Sequence, residues 1–210
     1  MINKIAKSVE ELCQHDSSGH DWWHIYRVWN LAKLLGKKEE VDLHLVELAA
    51  LLHDLDDWKL SDKNQENLPN ARRLLAENNV SKDILEKVVV IINEVSYKGA
   101  GVETRPTSTE AMVVQDADRL DAIGAIGIAR TFAYGGFKNQ PLHMPNVKPT
   151  FHKDFEEYKN TRTSTINHFY EKLLLLKDRL NTDTAKELAI QRHRFMEQFL
   201  KQFYSEWNLE

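Results

Sequence analysis

Residues 48–57 read Leu-Ala-Ala-Leu-Leu-His-Asp-Leu-Asp-Asp, so an apolar run ends abruptly in charged side chains. From Leu43 to Leu55 most positions are apolar, which is typical of a helix that is buried on most of its faces. His53 and Asp54 stand where this helix should stop. The stretch therefore predicts a central core helix that carries an imidazole and a carboxylate at its end.

On both sides of this stretch, apolar residues recur at helical spacing almost throughout the chain. The segment 88–92 has the Val- and Ile-rich composition of a strand, but it lies inside a longer helical pattern, which favours a helix. The fold class that we predict is all-α, a helical bundle without a clear strand. Besides the central helix, the pattern predicts helices over about residues 2–12, 25–36, 69–78, 81–95, 107–134, 151–180 and 182–207.

The helix predicted over 107–134 opens with Thr107 and Glu110, which have the spacing of a capping box. After it, residues 135–149 contain two adjacent glycines and three prolines, which predicts a flexible loop or lid.

Charged residues interrupt the apolar pattern in the middle of the helix predicted over 107–134 and call for an explanation. They are Asp116, Asp118, Arg119 and Asp121.

The composition indicates one folded domain over residues 1–210. Roughly 100 to 200 residues is the usual size of a domain, and a chain with 42% hydrophobic and 29% charged residues has enough apolar surface to bury. The formal net charge of −4 does not favour binding to a polynucleotide, which depends on the neutralisation of many phosphates. A small anionic substrate stays compatible with this balance.

The predicted location is the cytoplasm. Cys13 is the only cysteine, so no intramolecular disulfide can form, and a reducing compartment is the natural inference. The first residues show helical periodicity in place of the apolar run of a signal peptide. No stretch of eighteen uncharged apolar residues occurs, which argues against a membrane span.

Polar residues appear at three places where the helical pattern predicts burial: His24, the pair His53 and Asp54, and Asp118. A buried imidazole or carboxylate costs several kcal/mol unless it is paired or binds a metal, so three such places suggest a shared partner. Two imidazoles and two carboxylates suit Mn, Fe, Co, Ni or Zn and leave coordination positions open for water and substrate. We therefore predict a site for one divalent metal ion.

The same residues carry a resemblance to a known family. His24, His53 with Asp54, and Asp118 match the H…HD…D pattern of the HD-domain superfamily of metal-dependent phosphohydrolases. The surrounding text resembles a small bacterial subgroup, the YpgQ-like nucleotide pyrophosphohydrolases, over nearly the whole chain. The matching segments are Gly-His-Asp-Trp-Trp-His-Ile-Tyr-Arg-Val, Ala-Ala-Leu-Leu-His-Asp-Leu-Asp-Asp, Gln-Asp-Ala-Asp-Arg-Leu-Asp-Ala-Ile-Gly-Ala-Ile-Gly-Ile-Ala-Arg-Thr-Phe and Leu-Lys-Asp-Arg-Leu-Asn-Thr.

The resemblance implies an all-α bundle with the ion at its centre and nucleotides as substrates. We expect hydrolysis of nucleoside triphosphates to pyrophosphate, with manganese as the ion and Mg, Co, Ni, Fe or Zn as alternatives. Hydrolysis of 5′-nucleotides or another phosphoester is the alternative reaction. The resemblance also suggests a homodimer, which the apolar pattern does not test.

Two acidic residues are candidates for catalysis. Some HD nucleotidases carry a catalytic Glu four residues after the first His of the HD pair, and here that position is Asp57, one methylene shorter. Asp57 would orient or deprotonate the attacking water, or it is a solvated carboxylate at a helix end. Asp121, one turn after Asp118, would orient a ligand or a base, with structural pairing as its alternative.

Three cations are candidates for binding the substrate phosphates. Arg27 lies one helical turn beyond His24, where a guanidinium would clamp a phosphate or form a salt bridge to a nearby aspartate. Lys98 and Arg130 stand at element ends, where phosphate contacts and simple solvation are both open.

Three other functions compete with the phosphohydrolase. His20 and His24 have the spacing of a zinc-protease helix, but that reading leaves the His53, Asp54 and Asp118 cluster unexplained. Iron-dependent oxygen chemistry would need additional histidines that are not evident. A catalytically silent HD module would bind a nucleotide as a sensor without cleaving it.

Overall fold

The computed structural model describes residues 1–13, 21–56, 67–95, 104–150 and 163–210, and within these ranges the chain is helical and contains no strand. The all-α prediction is therefore confirmed. The α-helices are α1 (Ile2–Cys13), α2 (Trp22–Lys38), α3 (Leu43–Leu52), α4 (Pro69–Glu77), α5 (Lys82–Val95), α6 (Thr109–Asp121), α7 (Gly124–Phe137), α8 (Thr165–Glu171) and α9 (Asp183–Asn208), and a 3₁₀ helix spans Leu173–Arg179.

The chain divides into two compact units, each of which has its own core. The first comprises Met1–Tyr97 and Thr104–Asp118, and the second comprises Lys98–Glu103 and Arg119–Glu210. No helix in the described part of the chain is long and apolar enough to cross a membrane. The prediction of a single domain is not tested by this division and stays a prediction.

Helix α3 is the centre of the first unit. It packs against α1, α2 and α5, and every side chain from Leu48 to Leu52 is fully buried. Asp42 caps its first turn by accepting from the backbone N–H groups of His44 and Leu45. Three neighbouring helices explain why the α3 sequence is apolar on most faces, as the sequence predicts.

A cluster of three aromatic rings lies in the second unit. Phe169 of α8 is fully buried and stacks on Phe199 of α9 at 5.6 Å between ring centroids. Phe132 of α7 contacts both rings, at 6.1 Å from Phe169 and 5.8 Å from Phe199. These three rings join α7, α8 and α9, since pairs at such distances add to the burial of their apolar area.

The long helix predicted over 107–134 is wrong, because the chain forms two helices there. Ile123 adopts an extended conformation, and Gly124 has a φ of +76°, a value that favours glycine. A Cβ on Gly127 would stand 2.2 Å from the carbonyl oxygen of Ala122, so the second helix needs glycine at this close approach. The apolar periodicity continues across the break, which explains why the pattern does not reveal it.

The predicted capping box is also wrong in its residues. Ser108 caps α6 through its hydroxyl, which accepts from the backbone N–H of Ala111 at 3.1 Å. Thr107 instead donates from its backbone N–H and its hydroxyl to the carboxylate of Glu94, at 2.9 and 2.8 Å. The helix therefore begins one residue later than a Thr107 cap would place it.

The C-terminal helices agree only in part with the sequence. Helix α9 matches the prediction over 182–207, with the Thr182 hydroxyl as its cap. In place of one helix over 151–180, the described part of that segment forms the short α8 and the 3₁₀ helix, while residues 151–162 lie outside the described ranges. The loop predicted over 135–149 begins after Phe137, because α7 extends through the two glycines.

Candidate metal centre

His24 lies in the first turn of α2 and is fully buried. Asp21 precedes the helix in an extended conformation, and its carboxylate accepts from the backbone N–H of His24 at 3.0 Å. This cap fixes the start of α2, because it satisfies a backbone donor that has no partner inside the helix. His24 is thereby fixed at a defined position at the helix end.

His53 and Asp54 occupy a turn, because α3 ends at Leu52. On a continuous helix the two side chains would point about 100° apart. His53 still has helical backbone angles, with φ of −61° and ψ of −31°, and both residues are buried, with exposed fractions of 6% and 5%. The prediction that the pair stands at the end of its helix is confirmed.

Asp118 lies near the C-terminal end of α6. Its side chain is 27% exposed, whereas those of His24, His53 and Asp54 are exposed by at most 7%. The cluster thus has one side that is accessible to solvent. A substrate or a water molecule could approach from the side of Asp118.

The four side chains meet at one point within the first unit. The Nε2 atoms of His24 and His53 are 3.3 Å apart. His24 Nε2 is 3.2 Å from a carboxylate oxygen of Asp54 and 3.5 Å from one of Asp118. His53 Nε2 is 3.4 and 3.9 Å from oxygens of the same two carboxylates.

These separations suit the coordination shell of one ion. Ligand atoms about 2.1 Å from an ion lie about 3.0 Å apart at right angles and about 3.4 Å apart at the tetrahedral angle. His24, His53 and Asp118 each offer one ligand atom, and these three atoms lie within 4.8 Å of one another. A divalent cation would also balance the negative charge of the buried Asp54 carboxylate and of the partly exposed Asp118 carboxylate.

The tautomer of His53 supports the same interpretation. Its Nδ1 lies 2.8 Å from the carbonyl oxygen of Ala50, which can only accept, so we assign the proton to Nδ1. Nε2 of the neutral ring then carries a lone pair that faces the cluster. A backbone carbonyl on the far nitrogen is the usual way in which a protein orients a metal-binding imidazole.

The other predicted site residues are placed less completely. Asp57 and Lys98 lie outside the described residues. Arg27 lies on α2, one turn after His24, and is half-buried. A substrate contact of Arg27 stays a prediction.

Asp121 and Arg130 form an ion pair within the second unit. A guanidinium nitrogen of Arg130 is 3.0 Å from a carboxylate oxygen of Asp121, and the two side chains are 17% and 2% exposed. Burial lowers the pKa of the Arg192 guanidinium, and the negative charge of Asp121 partly opposes this shift. The structure thus pairs a predicted catalytic residue with a predicted substrate-binding residue, and neither role is tested by this contact.

Asp56 is a buried carboxylate to which the sequence analysis assigns no role. It accepts from the backbone N–H and the side-chain amide of Asn70 and from the backbone N–H of Ala71. The signal was present in the sequence, because Pro69 starts a predicted helix that has no Ser, Thr, Asp or Asn directly before it.

Comparisons with known proteins agree with this geometry. The model of the HD domain family matches residues 22–123. YpgQ of Bacillus subtilis (strain 168) is 43% identical over 200 residues, which cover 95% of this chain and 90% of YpgQ. Its crystal structure in complex with ADP has a TM-score of 0.78 at 40% identity and covers 98% of this chain and 97% of that chain.

Two other solved structures are similar over the whole chain. A protein from Lactobacillus plantarum has a TM-score of 0.89 at 39% identity, covering 100% of this chain and 97% of its own. An HD-superfamily hydrolase from Bacillus thuringiensis has a TM-score of 0.75 at 42% identity, with the same coverage of 100% and 97%. The HD-type resemblance drawn from the sequence is therefore confirmed.

Proposed function

Because the chain belongs to the HD-domain family of hydrolases, we propose that it cleaves nucleoside triphosphates to a nucleoside monophosphate and pyrophosphate. The observation that carries the proposal is the convergence of His24, His53, Asp54 and Asp118, with both Nε2 atoms within 4 Å of both carboxylates. This set of donors fits one divalent metal ion, for which Mn²⁺ is our first choice.

The four residues differ in the donor atoms that they offer and in their exposure to solvent. His24 and His53 present neutral nitrogens, and the Ala50 carbonyl keeps the proton of His53 on the other side of the ring. Asp54 is buried, while Asp118 faces the solvent-accessible side. When bound, the ion would polarise a phosphoryl oxygen and lower the pKa of water toward neutrality.

The proposed reaction breaks the bond between the α-phosphorus and the oxygen that bridges to the β-phosphate. Water adds to the α-phosphorus, pyrophosphate leaves with the bridging oxygen, and one proton passes to a base. We assign that base to Asp57, and we assign the support of the phosphates to Arg27, Lys98 and Arg130. A nucleotide is favoured as substrate because YpgQ, at 43% identity, has been crystallised with ADP.

The experiment that tests the function identifies products. Protein freed of metal by chelation is loaded with Mn²⁺ and incubated with ribo- and deoxynucleoside triphosphates and with nucleoside monophosphates. We expect pyrophosphate and monophosphate in equal amounts, and the chelated protein should release neither. Hydrolysis in ¹⁸O-water should place the label in the monophosphate, because the α-phosphorus is the proposed point of attack.

Other products would point to other functions. Phosphate released from monophosphates would replace the proposal with a 5′-nucleotidase. Stabilisation of the protein by nucleotides without any released product, across all substrates, would identify a nucleotide-sensing module and contradict the enzyme.

A further inference from the structure

We infer that Asp56 is a positioning residue that holds the His53–Asp54 turn in place by joining it to the first turn of α4. The inference rests on the proposed metal site and goes beyond it, because Asp56 itself is not one of the four converging residues. Its carboxylate is buried, with a residue exposure of 6%, and within the described part of the chain it accepts from Asn70 and Ala71 of α4.

The start of α4 lacks a cap of its own. Leu68 stands at the N-cap position in a left-handed conformation, with φ of 48°, and its side chain makes no capping hydrogen bond. Pro69 follows and has no N–H. The next two backbone donors belong to Asn70 and Ala71, and both donate to Asp56, at 3.2 and 3.0 Å.

Asp56 thus caps a helix from a distant part of the chain. A carboxylate is favoured at a helix N-terminus, because the backbone dipoles place partial positive charge there. The side-chain amide of Asn70 adds a third bond, at 2.8 Å. One oxygen of Asp56 accepts from both nitrogens of Asn70, and the other accepts from Ala71, so both oxygens are used.

The cap is only two residues from the proposed ligand Asp54. On the preceding side, the turn is fixed to α3 by the bond from the Leu55 N–H to the Leu52 carbonyl, at 3.2 Å, and by the contact of His53 with Ala50. On the following side, the described contacts that hold it are those of Asp56. Since metal affinity depends on the orientation of the ligands, loss of the Asp56 bonds should loosen the pair.

The first test is Asp56→Asn, measured by Mn²⁺ binding to the chelated protein without nucleotide. The amide keeps the size of the side chain, but its nitrogen would face the Ala71 N–H, so two donors would meet. We expect the Kd for Mn²⁺ to rise about tenfold or more, as for other groups that orient ligands. Binding is measured by calorimetry, and free Mn²⁺ is counted by its electron paramagnetic resonance signal.

The matched control is Asp83→Asn. Asp83 is also a carboxylate in the first turn of a helix, α5, but it is exposed and pairs with Lys87 on the same helix. Its Mn²⁺ affinity should equal that of the wild type. Both variants are titrated at a temperature where circular dichroism shows them fully folded, so that a difference in stability cannot appear as a difference in Kd.

A second variant covers the case in which Asp56→Asn does not fold. Asn70→Ala removes only the side-chain bond to Asp56 and leaves the two backbone bonds, so the Kd should rise by a smaller factor, about threefold. Wild-type affinity in the folded Asp56→Asn protein, or in folded Asn70→Ala when the former does not fold, would overturn the inference.

The inference and the proposed function can fail separately. A wild-type protein that binds Mn²⁺ in an Asp56-dependent way but cleaves no nucleotide would leave the positioning role intact and overturn the function. A wild-type protein that binds no Mn²⁺ would overturn both.

Discussion

At the scale of single residues, Asp54 is the carboxylate on which the site depends most. It is buried and contacts both imidazoles, so water cannot easily take its place as a ligand of the ion. We expect Asp54→Ala to lower kcat/KM for nucleoside triphosphates by at least about 100-fold, beyond the effect of losing a group that merely orients a ligand. Steady-state release of pyrophosphate measures the effect.

The control for Asp54 is Asp178→Ala, which removes an exposed carboxylate beside Lys177. It should leave kcat/KM unchanged. Full activity of a folded, metal-loaded Asp54→Ala protein would remove Asp54 from the proposed ligand set.

Substitution of Arg130 tests the contribution of its buried ion pair with Asp121 to stability. Arg130→Met leaves the Asp121 carboxylate, which is only 2% exposed, without its 3.0 Å partner. Because the buried Asp121 carboxylate would keep Arg192 but lose its paired cation, we expect the free energy of unfolding to fall by up to about 3 kcal/mol in urea denaturation. KM for the nucleotide, measured on the same variant, tests the proposed phosphate contact.

An exposed pair provides the comparison for Arg130. Arg73→Met removes a contact of 3.5 Å to Glu77 on the surface of α4, and surface pairs contribute little to stability. Equal losses of stability in the two variants would contradict a larger contribution of the Arg130–Asp121 pair to the free energy of unfolding.

The sequence could predict which residues meet, but not every group that holds them. His24, His53, Asp54 and Asp118 are visible because each is polar where the apolar pattern requires burial, and their proximity in the structure agrees with that expectation. Asp56 follows directly in a run of acidic residues and has the appearance of a solvated helix end. The sequence shows that no capping residue stands directly before Pro69, but only the structure shows that Asp56 takes that place.

At the scale of elements, the break between α6 and α7 depends on glycine. A Cβ on Gly127 would stand 2.2 Å from the Ala122 carbonyl oxygen, and backbone atoms there would have to move. We expect Gly127→Ala to lower the free energy of unfolding by about 2 kcal/mol, within the range for overpacked sites. Denaturant unfolding followed by circular dichroism measures the change.

The matched control lies on the same helix. A Cβ on Gly136 would meet nothing within 4 Å. Gly136→Ala should therefore be neutral or stabilise the protein by about 0.5 kcal/mol, because alanine loses less backbone entropy in a helix. A similar destabilisation by both substitutions would mean that helix content, and not the close approach, governs Gly127.

The helices whose bounds agree best with the sequence are α4, α5 and α9, which begin at a proline or directly after a capping signal in the sequence. Ser81 and Thr182 precede α5 and α9, and both helices match the predicted ranges closely. The segment before Leu180 is predicted least well, because a run of four leucines forms a 3₁₀ helix there. Apolar periodicity does not separate a 3₁₀ helix from an α-helix over so short a length.

At the scale of the whole molecule, the proposed metal ligands all belong to the first unit. A ligand that binds only the folded state stabilises it, by about 2.7 kcal/mol at a concentration about 100 times its Kd. We expect Mn²⁺ to slow amide hydrogen exchange in α2, in α6 and at the end of α3, relative to protein in chelator. Mass spectrometry of peptides from both units measures the pattern.

Helices α8 and α9 serve as the internal reference for this measurement, because they belong to the second unit. Mn²⁺ protection confined to α8 and α9 would place the ion elsewhere and contradict the proposed ligands. The predicted homodimer can be examined on the same samples by analytical ultracentrifugation.

The contact between His53 and the Ala50 carbonyl has a consequence for how this protein tolerates change. The acceptor belongs to the main chain, and every amino acid provides it, so a substitution at position 50 does not delete it. Scanning mutagenesis would register position 50 by side-chain size alone, since Ala50 is fully buried. The imidazole is therefore aligned in part by the backbone at the helix end. Comparing side chains alone would not identify this contact.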